Sequence, residues 1–445
     1  MDRKARESGS APAKRGRCFR RAAVLAVLVL LPFSGIGQTP PARPADRAPA
    51  GLDVLPLRQW LEAGDREEIP WRVSVSPPRL GYHQRQVTFV RTTILGSRLQ
   101  KTSVQRHVYL VVLAADATGR WLPGEGSRAF KLTETLGKST DLEFTVPAFV
   151  QPGNYTLAVF LYDRVTGERC LTRRPLKVPP IPDDPWRDAG HRLPAVQFLP
   201  AVEGADASYL PMVAAKLDLP VPTKRPVQVE ILANFTGSEQ YSGSRIVQSI
   251  NFSILLPTLK LLAGMNLPNG SLTITALDLD RQRVFFQQQN VRSLDWKRLG
   301  ESLTTLNPAT VDVRELQTQR QRATFFREVV ERRITSAVRG RPLVSRPSDD
   351  DPLRIFIVLG HGIQFPRGSD LKPVAPVEDC NCRIYYVQYQ IGVYLWRLDR
   401  FGRVGYDWDE LHKILKPLSP KRYEVEDPNT LRRALAAILA EMRKN

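Results

Sequence analysis

The side chains with the most chemical potential gather where two apolar runs stop abruptly. Val227 to Ser238 reads VQVEILANFTGS, and Arg354 to Gly362 reads RIFIVLGHG. The first run ends in an amide and two hydroxyls, Asn234, Thr236 and Ser238; the second ends in an imidazole, His361, between Gly360 and Gly362. Oxygens of this kind can help to hold a hard cation, which also needs carboxylates to offset the cost of stripping its water. A histidine flanked by glycine after a strand also suits the oxyanion loop of a hydrolase. Such an enzyme needs a nucleophile elbow, G-x-S-x-G, and the chain contains none. The five histidines (His83, His107, His191, His361 and His412) stand in scattered contexts with no Ser or Cys partner nearby in sequence. Asp349–Asp351 form an acidic triplet that reads better as a solvated turn than as a calcium loop. Cys380 and Cys382 flank Asn381, a spacing that lacks the further Cys or His a zinc site requires. A disulfide among Cys170, Cys380 and Cys382 and plain structural cysteines both remain open. No P-loop or dinucleotide fingerprint is present, so no cofactor is expected.

Both runs are short, β-branched and bounded by turn residues, which is the pattern of strands buried in a parallel sheet. Ligands of open α/β sheets sit at the carboxyl ends of such strands, where strand order reverses. Around the two runs, residues 223–445 alternate in period. Arg245–Met265 reads as a helix kinked or restarted at Pro257, and Gly270–Asp280 with the following RVFFQQQ reads as a hairpin. Asp295–Leu306 and Thr310–Thr335 read as helices, Arg383–Tyr389 as a strand and Asp409–Leu415 as a helix. The tail reads as a strand, a turn capped by Asp427 or Asn429, and a closing helix. The expectation is a C-terminal α/β doubly wound, Rossmann-like domain.

Residues 69–180 carry a different pattern. About seven strand-like segments lie between Trp71 and Val178, separated by turn signals such as ADATG, LPGEG and QPGN, which predicts an all-β sandwich. PGNYTLAVFLYDRVTGE within it resembles the penultimate hairpin of immunoglobulin-like domains in bacterial surface proteins, so the sandwich is expected to be Ig-like. Residues 181–222 read as a linker with possible edge strands in LPAVQFLPAV and MVAAKLDLPV. Residues 38–68 are a Pro/Ala-rich spacer. Residues 1–37 hold a basic n-region (Lys14 to Arg21) and an apolar h-region (Ala22–Leu31), a secretory signal peptide favoured over an uncleaved anchor. The chain is therefore expected to be secreted or periplasmic, touching a membrane only through an uncleaved signal.

The net charge of +19 includes that segment. Residues 1–37 hold eight Lys/Arg and two Asp/Glu, leaving 56 against 43, or +13. The basic residues are spread and not interleaved with aromatic ones, so no nucleic-acid partner is expected.

The order of elements in 223–445, with a second strand followed by an edge hairpin, resembles the von Willebrand factor A (vWA) domain, as found in vWFA-related secreted bacterial proteins. ILANFTGS takes the place of the family's strand running into D-x-S-x-S, FIVLGHG that of the later strand ending in a T-D-G-type turn, and RYEVEDPNTLRRALAAIL that of the last strand and helix. The resemblance implies a metal-ion-dependent adhesion site built from Asn234, Thr236, Ser238, Thr310 and His361. Both carboxylates of the family's motif are replaced here, by Asn234 and His361, which implies a degenerate site without metal. The resulting expectation is a non-enzymatic protein-interaction or adhesion scaffold with a protein partner. The alternatives are a metal-dependent (Mg²⁺ or Ca²⁺) adhesion module with non-standard ligands and a hydrolase using His361.

Overall fold

The computed structural model describes residues 55–99, 106–132, 140–199, 217, 219–236, 245–306, 313–338, 352–376, 381–389 and 409–444. The expected signal peptide, most of the spacer, Ser238, Thr310, the Asp349–Asp351 triplet and Cys380 lie outside the described residues.

All seven strands expected between Trp71 and Val178 form, joined by three short ones. They are β1 (Arg66–Glu67), β2 (Trp71–Val75), β3 (Arg79–Leu80), β4 (Gln86–Leu95), β5 (Arg106–Ala115), β6 (Gly126–Leu132), β7 (Asp141–Val150), β8 (Gly153–Asp163), β9 (Arg169–Val178) and β10 (Val196–Phe198). One antiparallel sheet runs β1-β9-β8-β5-β6, and the other runs β10-β7-β4-β2 with β3 paired to β4. Alternation explains why they face each other. In β4, Thr88, Val90, Thr92 and Ile94 are buried while Phe89, Arg91 and Leu95 are exposed. Val90, Ile94, Val108, Leu110, Val146, Leu157, Val159 and Leu161, drawn from both sheets, share one core. The VLPLRQWL patch, too brief to stand alone, becomes helix α1 (Leu57–Ala63). It lays Leu57, Trp60 and Leu61 on the outer face of the first sheet, over Tyr109, Val111 and Phe160. A helical turn, α2 (Gly96–Leu99), follows β4. The sandwich thus extends past the expected 69–180 at both ends, and LPAVQFLPAV does supply an edge strand, β10.

The second half contains β11 (Leu219–Pro220), β12 (Val227–Asn234), α3 (Arg245–Leu262), β13 (Met265–Asn266), β14 (Gly270–Asp278) and β15 (Arg283–Gln288). There follow α4 (Trp296–Thr304), α5 (Val313–Thr318), α6 (Arg322–Val338), β16 (Leu353–His361), β17 (Cys382–Tyr389), α7 (Glu410–Leu415), β18 (Lys421–Val425) and α8 (Pro428–Arg443). β11 and β13 make a two-stranded sheet; the large sheet runs β15-β14-β12-β16-β17-β18, parallel except for β15. Along β12, Val229, Ile231 and Ala233 pack with Leu255 and Leu259 of α3 and Leu435 of α8. Leu232 turns the other way, to Phe326 and Val330 of α6 and Leu411 of α7. Burial on both faces is why these strands read as continuous apolar runs.

The expected α/β doubly wound, Rossmann-like domain is corrected by this arrangement. Among the described residues strand outweighs helix, 41% against 25%, in four sheets. Helices and strands do not alternate regularly. β14 returns as an antiparallel hairpin through β15, and the described part of the β16–β17 connection, 362–376, contains no helix. Pro366, Pro373 and Pro376 explain the second point, since each lacks an N–H and biases the residue before it toward extended backbone. Two helix expectations also change. α3 runs unbroken through Pro257, and Thr310–Thr335 divides into α5, a 3₁₀ turn at Gln319–Gln321 and α6. No helix among the described residues is long and apolar enough to cross a membrane.

Arg432 of α8 ties the two halves together. Its Nε and Nη2 reach Oδ1 of Asp184 at 2.7 and 2.6 Å, and its Nη1 donates to the Gln84 carbonyl at 3.1 Å. The guanidinium lies 4.9 Å over the Trp186 ring, and Gln84 Nε2 donates back to the Pro428 carbonyl at 3.1 Å. One side chain of the C-terminal half therefore binds both a sandwich turn and the linker. Removing one partner of such a buried pair leaves the other charge uncompensated. Arg432→Met is expected to lower the unfolding free energy by on the order of 3 kcal/mol and to split one urea transition into two, followed by far-UV circular dichroism. A single transition at the wild-type midpoint would show that Arg432 does not couple the halves.

Candidate functional site

The crossover through α3 carries the chain from β12 to β14 on one side, whereas β16 leads to β17 on the other. The carboxyl ends of β12 and β16 therefore flank the place where strand order reverses, the usual position of a ligand crevice. The structure brings Asn234, Thr236 and His361 together there, and all three are buried, at 1%, 5% and 4% exposure. Ser238 and Thr310 lie outside the described residues.

The three side chains are bonded inward. Asn234 Oδ1 accepts from the Thr236 N–H at 3.1 Å, and Thr236 Oγ1 accepts from the Leu279 N–H at 2.6 Å, tying β12 to the end of β14. His361 Nε2 lies 2.6 Å from the Thr236 carbonyl oxygen and Nδ1 lies 2.7 Å from that of Gly362. A carbonyl only accepts, so the ring is held by the nitrogen carrying a proton, and both nitrogens face backbone. Neither is presented to a substrate or a cation. Phe235, between the polar residues, is anchored by Phe252 and Phe285 with ring centroids 5.6 and 5.4 Å away. Gly360 is needed for close approach, because a Cβ there would sit 3.0 Å from Asn234 Cβ. Little of residues 362–365, the segment that follows β16, reaches the surface. Gln364 is exposed, but Phe365 and Ile363 are buried in the core on the α6 side of the sheet.

Beside this closed set lies a polar cluster that residue-type reasoning passed over. Asp409 caps α7 through the Leu411 N–H (3.2 Å), accepts from Ile363 N–H (3.2 Å) and takes Gln388 Nε2 at 3.0 Å. Gln388 in turn accepts from Arg422 Nε at 2.9 Å. A Cβ on Gly362 would meet Gln388 Nε2 at 2.5 Å, so only glycine lets this side chain in. Burial pushes the Asp409 carboxyl up, and burial with the Asp409 charge raises the Tyr386 phenol well above its ordinary value. The signals were a Gln inside an apolar strand and an Asp at a helix start. Both were visible, but nothing linear connects residues 388, 409 and 422.

Among the described residues no group of three or more His, Cys, Asp or Glu is arranged to hold a metal. The carboxylates on neighbouring strand ends are engaged, Asp409 as above and Asp278 with Arg281 and Arg283 at 3.5 and 3.4 Å.

Comparisons with known proteins add little to this geometry. No protein-family model matches the chain, and no curated protein matches it. Among solved structures, a glycosyl hydrolase family 2 member from Bacteroides cellulosilyticus aligns at 8% identity and a TM-score of 0.18, covering 36% of this chain and 17% of its own. A second family 2 member from the same organism aligns at 9% identity and 0.19, covering 73% and 42%. The putative ApaA protein from Bordetella pertussis aligns at 16% identity and 0.17, covering 25% of this chain and 98% of its own. This chain thus spans about a sixth of the first of these. TM-scores this low carry no argument about activity.

If the imidazole holds the two strand ends, His361→Ala unpairs buried carbonyls and opens a void. The expected loss is about 2–4 kcal/mol in urea unfolding at neutral pH, with His361→Asn recovering part of it. An unchanged midpoint for His361→Ala would show the ring to be idle.

Proposed function

We propose that this chain is an exported, non-enzymatic protein-interaction scaffold. The carboxyl-end rim of its large sheet meets a protein partner without a bridging cation. The observation that carries the reading is the inward engagement of the strand-end set: Asn234 Oδ1, Thr236 Oγ1 and the His361 ring all face backbone groups, of Thr236, Leu279 and Gly362, and Asn234 Nδ2 is buried without a hydrogen-bond partner among the described residues. A hard cation needs several oxygen ligands with at least one carboxylate, and the positions that would supply carboxylate hold an amide and an imidazole. A hydrolase would need the imidazole open to a substrate's proton, and both nitrogens of this ring face backbone carbonyls, one of which accepts its N–H.

Relation to the vWA family belongs to the same proposal. What supports it is that the two segments quoted for the resemblance, ILANFTGS and FIVLGHG, supply neighbouring strands, β12 and β16. Export is supported by the n-region and h-region of residues 1–37 and by the disulfide bond at Cys382, whose partner lies outside the described residues.

Two measurements test the reading. Thermal unfolding of the chain lacking residues 1–37 should be indifferent to millimolar Mg²⁺, Mn²⁺ or Ca²⁺ and to EDTA. A loaded site at a hundredfold excess over Kd would add about 2.7 kcal/mol, a shift of several degrees. A rise abolished by EDTA would replace this proposal with the metal-dependent adhesion module. A photo-crosslinker at exposed Gln364 should capture a discrete protein in the native cell, while one at exposed Lys224, at the amino end of β12, should not. Equal capture at both, or none at Gln364, would remove the rim as the contact surface.

A further inference from the structure

We propose that the turn at 81–85 is an acid-responsive latch, in which protonation of His83 unseats the turn and parts the sandwich from the C-terminal half. The turn is built to be held by its neighbours. Gly81 N–H donates to the Arg85 carbonyl and Gln84 N–H to the Gly81 carbonyl, both at 2.9 Å, and Gln84 adopts a left-handed φ of 60°. Such a conformation is unfavourable for a residue other than glycine and persists where surroundings impose it. The surroundings are the C-terminal half: Arg432 and the Pro428 carbonyl grip Gln84, and Tyr82 packs against the core that holds α3 and α8.

His83 sits inside this seat with its ring 5.1 Å from that of Phe149 in β7. Its Nε2 is shut off from solvent and has no hydrogen-bond partner among the described residues. The charged groups around it are mainly cations. Arg85 lies 4.5 Å over the same Phe149 ring, Lys260 approaches from α3, and Arg432 from α8; the linker supplies one carboxylate, Asp184, which Arg432 engages. Tyr389 of β17, beside Tyr82, is a phenol that burial keeps neutral. Among the described residues no carboxylate pairs with His83, so a proton on the ring would be both desolvated and repelled by Lys260 and Arg85.

Burial, then Lys260, then Arg85 pull the His83 imidazole down to about 3 while seated. Released into water it returns toward its ordinary value near 6.5. A group whose value is depressed on seating favours the seated state at constant strength above pH 6.5. That preference fades as pH falls from 6.5 toward 3. Between pH 7.5 and 5 the opening equilibrium gains about thirtyfold by linkage.

The test is hydrogen exchange on the chain lacking residues 1–37, reading the amides of 81–86 and corrected for intrinsic rates. The wild type should show the roughly thirtyfold gain in opening on going from pH 7.5 to 5, and His83→Gln should show less than about threefold. Lys260→Met should leave the onset near pH 6.5 but make the response level off at a higher pH with a smaller total gain, since one charge that holds the seated value down is gone. No gain in the wild type, or an equal gain in His83→Gln, would overturn the latch. Should His83→Gln fail to fold, the wild-type His83 ring resonance decides: a seated ring that titrates freely near 6.5 refutes the proposal, and one that titrates only as exchange rises supports it.

Discussion

Backbone polar groups buried away from water must find partners inside the protein, and the large sheet is covered on both faces. Its two central strands, β12 and β16, leave the ladder at the same level, so their last carbonyls lose their neighbours where no solvent reaches. The Thr236 and Gly362 carbonyls converge on one imidazole, and the Leu279 N–H finds the Thr236 hydroxyl. The side chains with most chemical promise are consumed in closing the sheet. That constraint bears on the rest of this edge: a Cβ on Gly360 would crowd Asn234 and one on Gly362 would displace the Gln388 amide, Phe365 turns back into the core, and Gln388 and Asp409 meet at the next strand end.

The junction obeys the same rule with charges in place of carbonyls. Arg432 pairs with the Asp184 carboxylate, and Arg85 and Lys260 bring two further cations to the same junction. Satisfying Arg432 requires a sandwich turn and a linker aspartate at once. A buried ion pair is weak evidence for net stability, since desolvation offsets most of its attraction. Its stronger effect is geometric, because only one placement of the sandwich meets all of Arg432's donors. The seat for His83 follows from that placement and exists in neither half alone.

Strand by strand, much of the chain was legible beforehand. Period-2 alternation in Thr88–Ile94 and the apolar runs of β12 and β16 are local consequences of burial on one face or two. So are the Asp295, Asp409 and Asp427 helix caps, where a carboxylate satisfies free N–H groups. The failures were also physical. Helicity through Pro257 depended on packing of α3 against the sheet, which outweighed a single proline. The prolines at 366, 373 and 376 kept the β16–β17 connection from the helix that regular alternation would require.

By itself the sequence determined which segments are strands or helices and that Asn234, Thr236 and His361 fall at strand ends. It also determined that none of these three residues is a carboxylate. These follow from local periodicity and from side-chain chemistry, which neighbours along the chain suffice to specify. Only the tertiary structure decided that the three residues are turned inward toward backbone groups, and that Asp409, Gln388 and Arg422 meet. It alone placed Arg432 on a turn nearly 350 residues away and set the half-buried His83 beside cations. Those facts depend on contacts between distant segments, whose energies arise only when the sheet and sandwich have already assembled.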